Sequence, residues 1–199
     1  IAQKVDVILL PPRAEKPLIP AVMEAKKAGI PMFLIDRNVD QSLAKGGEDY
    51  VAFIGSDFTK EGMQAAEVLT ADVGGNDKII ELQGTTGSSP ANDRMAGFAA
   101  YIKDHPGMQI IASQSGDFAR DKGRQVFETL YQANPEATAL YSHNDEMTTG
   151  AIAAMEAAGI DACFVTDHPA PDAAWLRQGM GHDALDPFTA FGFVAASTT

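Results

Sequence analysis

The chain has 199 residues, 45% hydrophobic and 21% charged, which is enough for a real core in one large domain or two small ones. A formal net charge of −12 argues against nucleic acid as a partner, because phosphate binding needs a basic face. No run approaches the roughly 18–20 apolar residues of a membrane-spanning helix, and the single cysteine, Cys163, allows neither an internal disulfide nor a cysteine-rich metal cluster.

The opening residues, Ile1-Ala2-Gln3-Lys4, are neither an initiator Met nor a basic leader, so the chain is expected to start at a processing point or partway through a longer protein. VDVILLPP (Val5–Pro12) then reads as a short strand closed by prolines. EKPLIPAVMEAKKAGI follows as a helix, with Leu18, Val22, Ala25 and Ala28 at helical spacing and Gly29 where a C-terminal cap belongs. PMFLIDR is a second strand. The polar loop NVDQSLAKGGED leads to YVAFIGSD, a third, and then to a helix over about Phe58–Ala71. Gly74-Gly75-Asn76-Asp77 breaks the chain.

Beyond that break the unit repeats. KIIELQG, MQIIASQSG and ATALYSHND read as strands, each followed by a helix: PANDRMAGFAAYIKDH, FARDKGRQVFETLYQAN and EMTTGAIAAMEAAGI. Near-continuous apolar strands, helices between them and short connections specify α/β architecture: a three-layer, mostly parallel, Rossmann-like sheet with helices on both faces.

In such sheets ligands sit beyond the carboxyl ends of the strands. The residues there are Pro11-Pro12, Asp36-Arg37, Ser56-Asp57, Gly84–Ser89, Ser115–Phe118 and His143-Asn144-Asp145. Any one of the Ser, Asp or Asn residues is readily explained as a helix cap; their recurrence at one end of successive strands points to a polar binding crevice.

GTTGSSPANDR (Gly84–Arg94) has neither the GxxxxGK[ST] nor the GxGxxG pattern of nucleotide binders. His105, His143, His168 and His182 show no zinc-ligand spacing, no GxSxG elbow is present, and no pairing of Asp117 with Asp145 follows from the sequence, so neither a metal nor a catalytic site is assigned and no cofactor is expected. What fits is recognition of a hydroxyl-rich molecule, held by Asp, Asn and Arg side chains and by an aromatic face. Asp36, Arg37, Arg94, Phe118 and Asn144 supply that set; their ordinary alternatives are an exposed ion pair, a surface Arg, a core Phe and an N-cap Asn.

The blocks IPMFLIDR, GSDFTKEG, IIELQGTTGSSPANDRMAGF, ASQSGDFARDKG and YSHNDEMTTGAIAAMEAAGI, in this order, resemble the type I periplasmic sugar-binding proteins of ABC importers, in the ribose- and galactofuranose-binding branch. The resemblance spans about Ile1–Ile160. It implies a non-enzymatic, two-lobed protein of the periplasm that binds a monosaccharide and delivers it to a membrane permease. Carried over residue by residue, it implies sugar contacts from Asp36 with Arg37 beside it, from Arg94, Phe118 and Asn144, and more weakly from Ser56. The family begins with further strand–helix pairs that this chain lacks, so the first lobe is expected to be incomplete and self-association through its unfinished surface is expected.

After AAGI the text changes. DACFVTDHPAPDAAW and HDALDPFTAFGFVAASTT resemble a fragment of the luciferase-like flavin- or F420-dependent oxidoreductases, in which the His corresponding to His168 lies near the cofactor. One strand–loop–helix unit cannot build an eight-stranded barrel. Asp167, however, falls near the position where sugar-binding proteins carry another sugar-contacting Asp. The expected organisation is therefore a partial amino-terminal lobe over residues 1–75, a Rossmann-like second lobe over 76–160 and a tail of different origin over 161–199, forming one sheet rather than two complete lobes. An oxidoreductase fragment and a structural chimera without a ligand remain the competing readings.

Overall fold

The structure, a computed structural model, describes residues 1–159. In chain order it contains β1 (Ile8–Leu10), α1 (Ile19–Lys27), β2 (Met32–Ile35), β3 (Ala52–Ile54), α2 (Phe58–Asp72), β4 (Asp77–Gln83), α3 (Ser89–Ile102), β5 (Met108–Ser115), α4 (Arg120–Ala133), β6 (Ala139–Ser142) and α5 (Asp145–Ala157). Every pairing between these strands is parallel, and the α/β class stands. The tail resemblance, with Cys163, Asp167 and His168, lies outside the described residues.

Among the described residues the expected single continuous sheet does not form. The described strands make two three-stranded sheets, β1-β2-β3 and β5-β4-β6. They belong to two compact units: Ile1–Phe58 with Thr85–Asp93, and Thr59–Gly84 with the described residues from Arg94 onward. The division therefore falls at the start of α2 rather than near residue 75. The apolar stripe of α2 decides this, because Ala65, Ala66 and Leu69 bury against Ile79, Phe98, Met108 and Tyr141 of the second unit.

In the first unit, α1 lays Val22 and Ala25 on Met32 and Leu34 of β2, and Val39, Ala44 and Tyr50 close the cluster. The helix ends at Gly29, whose φ of +70° is the left-handed geometry of a C-terminal cap. The first turn of α3 belongs to this unit: Ser89 Oγ accepts from the Asn38 N–H at 2.7 Å, and Asn92 Nδ2 donates to Glu15 at 2.7 Å. The sheet's other face carries Leu9, Phe33, Ile35, Ala52 and Ile54 in register, with Leu9 60% and Ile54 61% exposed.

In the second unit both sheet faces are covered, as parallel strands require. Ile80, Leu82 and Leu140 pack on α4 and α5, while Ile79, Met108 and Tyr141 face α2 and α3. The helices meet backbone to backbone through glycine. A β-carbon on Gly97 would lie 2.0 Å from the Thr59 carbonyl oxygen, and one on Gly150 would lie 2.1 Å from that of Arg120.

Candidate functional site

At the carboxyl end of β2, Asp36 takes φ = 62°, a left-handed backbone that few non-glycine residues adopt. It is pinned there by its N–H, which donates to the Ile54 carbonyl of β3 at 2.9 Å. Its carboxylate is 68% exposed and lies 3.6 Å from Arg37 Nε, and Arg37 Nη1 donates to the Arg13 carbonyl at 3.2 Å. Ser56 follows β3 and is exposed. Asp36 is thus both strained and exposed at the carboxyl end of a parallel strand.

In the second unit Arg94 is not at the surface. Its side chain is 8% exposed, and both Nε and Nη2 donate to Oε2 of Glu61 on α2, at 3.1 and 2.8 Å. Asn144 caps α5, its Oδ1 accepting from the Met147 N–H at 3.1 Å, which is the capping role that its position suggests. Its Nδ2 also donates to the Phe118 carbonyl at 3.3 Å. Phe118 and Asp117 have φ of 59° and 58°, so the turn carrying the aromatic is strained and Asn144 helps to hold it. The structure thus brings Phe118 and Asn144 into contact, with Asn144 acting on the backbone of its neighbour.

The Phe118 ring lies directly on Gly84: a β-carbon there would fall 1.9 Å from Cζ and 2.2 Å from Cε1. Only glycine leaves room for the ring, which gives the first glycine of the GTTGSS loop its purpose.

One buried group belongs to no motif legible in the sequence. Glu81, in the middle of KIIELQG, is 2% exposed, and His143 is fully buried. His143 Nε2 and Glu81 Oε1 are 3.1 Å apart, Ser113 Oγ and Gln83 Nε2 donate to Oε2, and the Gly84 N–H donates to His143 Nδ1 at 3.3 Å. Burial drives the Glu81 carboxyl upward, but the hydrogen bonds from His143, Ser113 and Gln83 together hold it below the ordinary glutamate value. The available signal was a charge inside an otherwise apolar strand, since buried carboxylates survive only when paired.

A profile described as periplasmic binding protein domain matches residues 1–182. The chain belongs to that family. It is 41% identical over 164 residues to the galactofuranose-binding protein YtfQ of Escherichia coli K12, covering 80% of this chain and 51% of that protein. It is 35% identical over 161 residues to the ribose import binding protein RbsB of Bacillus subtilis, covering 81% and 50%. Among solved structures, a galactofuranose binding protein superposes with a TM-score of 0.77 at 39% identity, over 82% of this chain and 57% of that one. The binding component of an arabinose ABC transporter from Shewanella sp. ANA-3, bound to L-arabinofuranose, gives 0.75 at 39% identity, over 82% and 55%. This periplasmic binding protein chain spans about half the length of the curated relatives it matches. Those relatives are named as binding proteins.

Proposed function

We propose that this chain binds a monosaccharide as the substrate-binding component of an ABC-type importer, in the periplasm and without catalysis. The observation that carries the reading is the strained carboxyl-end geometry: Asp36 at φ = 62° beside Arg37, and Phe118 at φ = 59° held over Gly84 by Asn144. A carboxylate–guanidinium pair suits vicinal hydroxyls, and an aromatic face suits the C–H side of a sugar ring. The residues proposed as sugar contacts are Asp36, Arg37, Ser56, Arg94, Phe118 and Asn144. For Arg94 the bond to Glu61 orients the guanidinium. Asp167 is proposed as a further contact on its sequence position alone.

Support for the sugar class comes from the sugars for which relatives are named: galactofuranose, ribose and arabinofuranose. Self-association through the apolar face bearing Leu9 and Ile54 belongs to the same proposal. Isothermal titration with galactofuranose, L-arabinose and D-ribose tests it. Heat from at least one sugar, abolished in Asp36→Ala, is expected; no heat from any of them overturns the reading.

A further inference from the structure

We propose that His143, locked in one tautomer by Glu81, is a positioning residue for ligand binding that holds the Gly84 peptide beneath the Phe118 ring. The inference rests on the sugar-binding reading above.

Glu81 is a carboxylate and accepts at Oε1, so the proton of His143 resides on Nε2. That leaves the Nδ1 lone pair for the Gly84 N–H at 3.3 Å. The same glycine is held from its other side, where Ser115 Oγ donates to the Gly84 carbonyl at 2.6 Å. Ser115 Oγ also accepts from the Asp117 N–H at 3.2 Å, at the start of the strained turn that carries Phe118. A continuous set of hydrogen bonds therefore runs from Glu81 through His143 and Gly84 to the turn that aims the aromatic face.

A purely apolar filler at residue 143 would occupy the space but leave the Gly84 N–H and the Glu81 carboxylate without this partner. A proton on Nδ1 instead of Nε2 would make Nδ1 a donor facing the Gly84 N–H and leave the glycine unheld. The groups about the ring are Glu81 on β4 and Tyr141 on β6, with ring centroids 5.0 Å apart for the Tyr141–His143 pair. Tyr141 Oη donates to the Arg94 carbonyl on α3, and the Arg94 guanidinium is engaged by Glu61 on α2.

The test has two arms on this chain. Long-range nitrogen–proton correlation spectra of nitrogen-15-labelled protein at about pH 7.5 read the tautomer without any sugar; a proton on Nε2 with Nδ1 bare is expected, and a proton on Nδ1 overturns the proposal. Calorimetry with the bound sugar at about pH 7.5 then compares wild type, His143→Gln and His143→Leu. Gln offers Nε2–H to Glu81 and Oε1 to the Gly84 N–H, so affinity should stay within about threefold of wild type. Leu should weaken binding by about tenfold or more. If the Leu variant does not fold, the tautomer and the Gln variant decide: a proton on Nε2 with Gln within about threefold of wild type supports the role, and a folded Gln variant weakened about tenfold or more removes it. Heat from wild type that folded His143→Leu retains at full affinity removes only this inference. No heat from wild type removes the sugar-binding reading and this inference with it.

Discussion

The ring of Phe118 occupies the space where a side chain on Gly84 would begin, with Cζ 1.9 Å from the position of a β-carbon. The two residues lie on different strands' carboxyl ends, and their contact makes the Gly84 backbone the floor beneath the aromatic. Gly84 needs no unusual φ, so Gly84→Ala is expected to act through the ring alone. Sugar affinity should fall about tenfold or more with a small change in melting temperature, and the substitution should cost little extra in a Phe118→Ala background. Calorimetry over that double-mutant cycle checks the coupling.

Glu81 gives a pH prediction. Its folded value lies below the ordinary 4.5, so its contribution to stability is complete above about 4.5 and is lost as pH falls through the lower folded value. Glu81→Gln should cost about 1–3 kcal/mol at neutral pH, because the amide meets His143, Ser113 and Gln83, all of which donate to this position. Below pH 4.5 the gap between variant and wild type should narrow. Denaturant melts across the acid range measure both.

Asp93 has the opposite sign. Burial, then the charges of Glu15 and Asp57, raises its carboxyl above the ordinary 3.8. The native state therefore carries a penalty that begins as pH rises past 3.8 and is complete above the raised value, neutral pH included. Asp93→Asn is expected to stabilise the protein at pH 7 by no more than about 1 kcal/mol, since these groups are partly solvated. The difference should vanish in acid, which thermal melts at both pH values would reveal.

The Glu61–Arg94 bond joins two side chains that are 12% and 8% exposed. Glu61→Leu should destabilise by about 3 kcal/mol, as expected when one partner of a buried pair is removed. Arg94→Lys should recover only part of the stability, because an ammonium cannot reproduce a guanidinium that directs Nε and Nη2 at one oxygen. Urea unfolding midpoints provide the measurement.

Leu9 and Ile54, 60% and 61% exposed, share one face of the first sheet. The double variant Leu9→Lys, Ile54→Lys should leave the melting temperature nearly unchanged, since neither side chain gives up much buried area. It should lower the apparent mass at high concentration in sedimentation velocity if that face mediates self-association. An unchanged mass distribution would remove the interface.

The alternation of elements was legible in the sequence because each carries its own period: Val22 and Ala25 mark a helical stripe, and KIIELQG marks a strand with both faces buried. The carboxyl-end location of Asp36, Phe118 and Asn144 followed from that order alone. The partition into two sheets did not, because it depends on which neighbour the stripe of α2 buries against, and Ala65, Ala66 and Leu69 suit any apolar surface. Nor did Arg94, whose position in ANDR is as compatible with an exposed side chain as with one buried on Glu61.

Local periodicity and turn chemistry thus determined the elements, their parallel class and the end of the sheets where polar side chains collect. Only the tertiary structure decided which polar groups are exposed there and which are consumed in holding others. Pairing Glu81 with His143, or laying Phe118 on Gly84, joins residues 62 and 34 positions apart in the chain. No periodicity within a single element encodes contacts between strands so far apart in sequence.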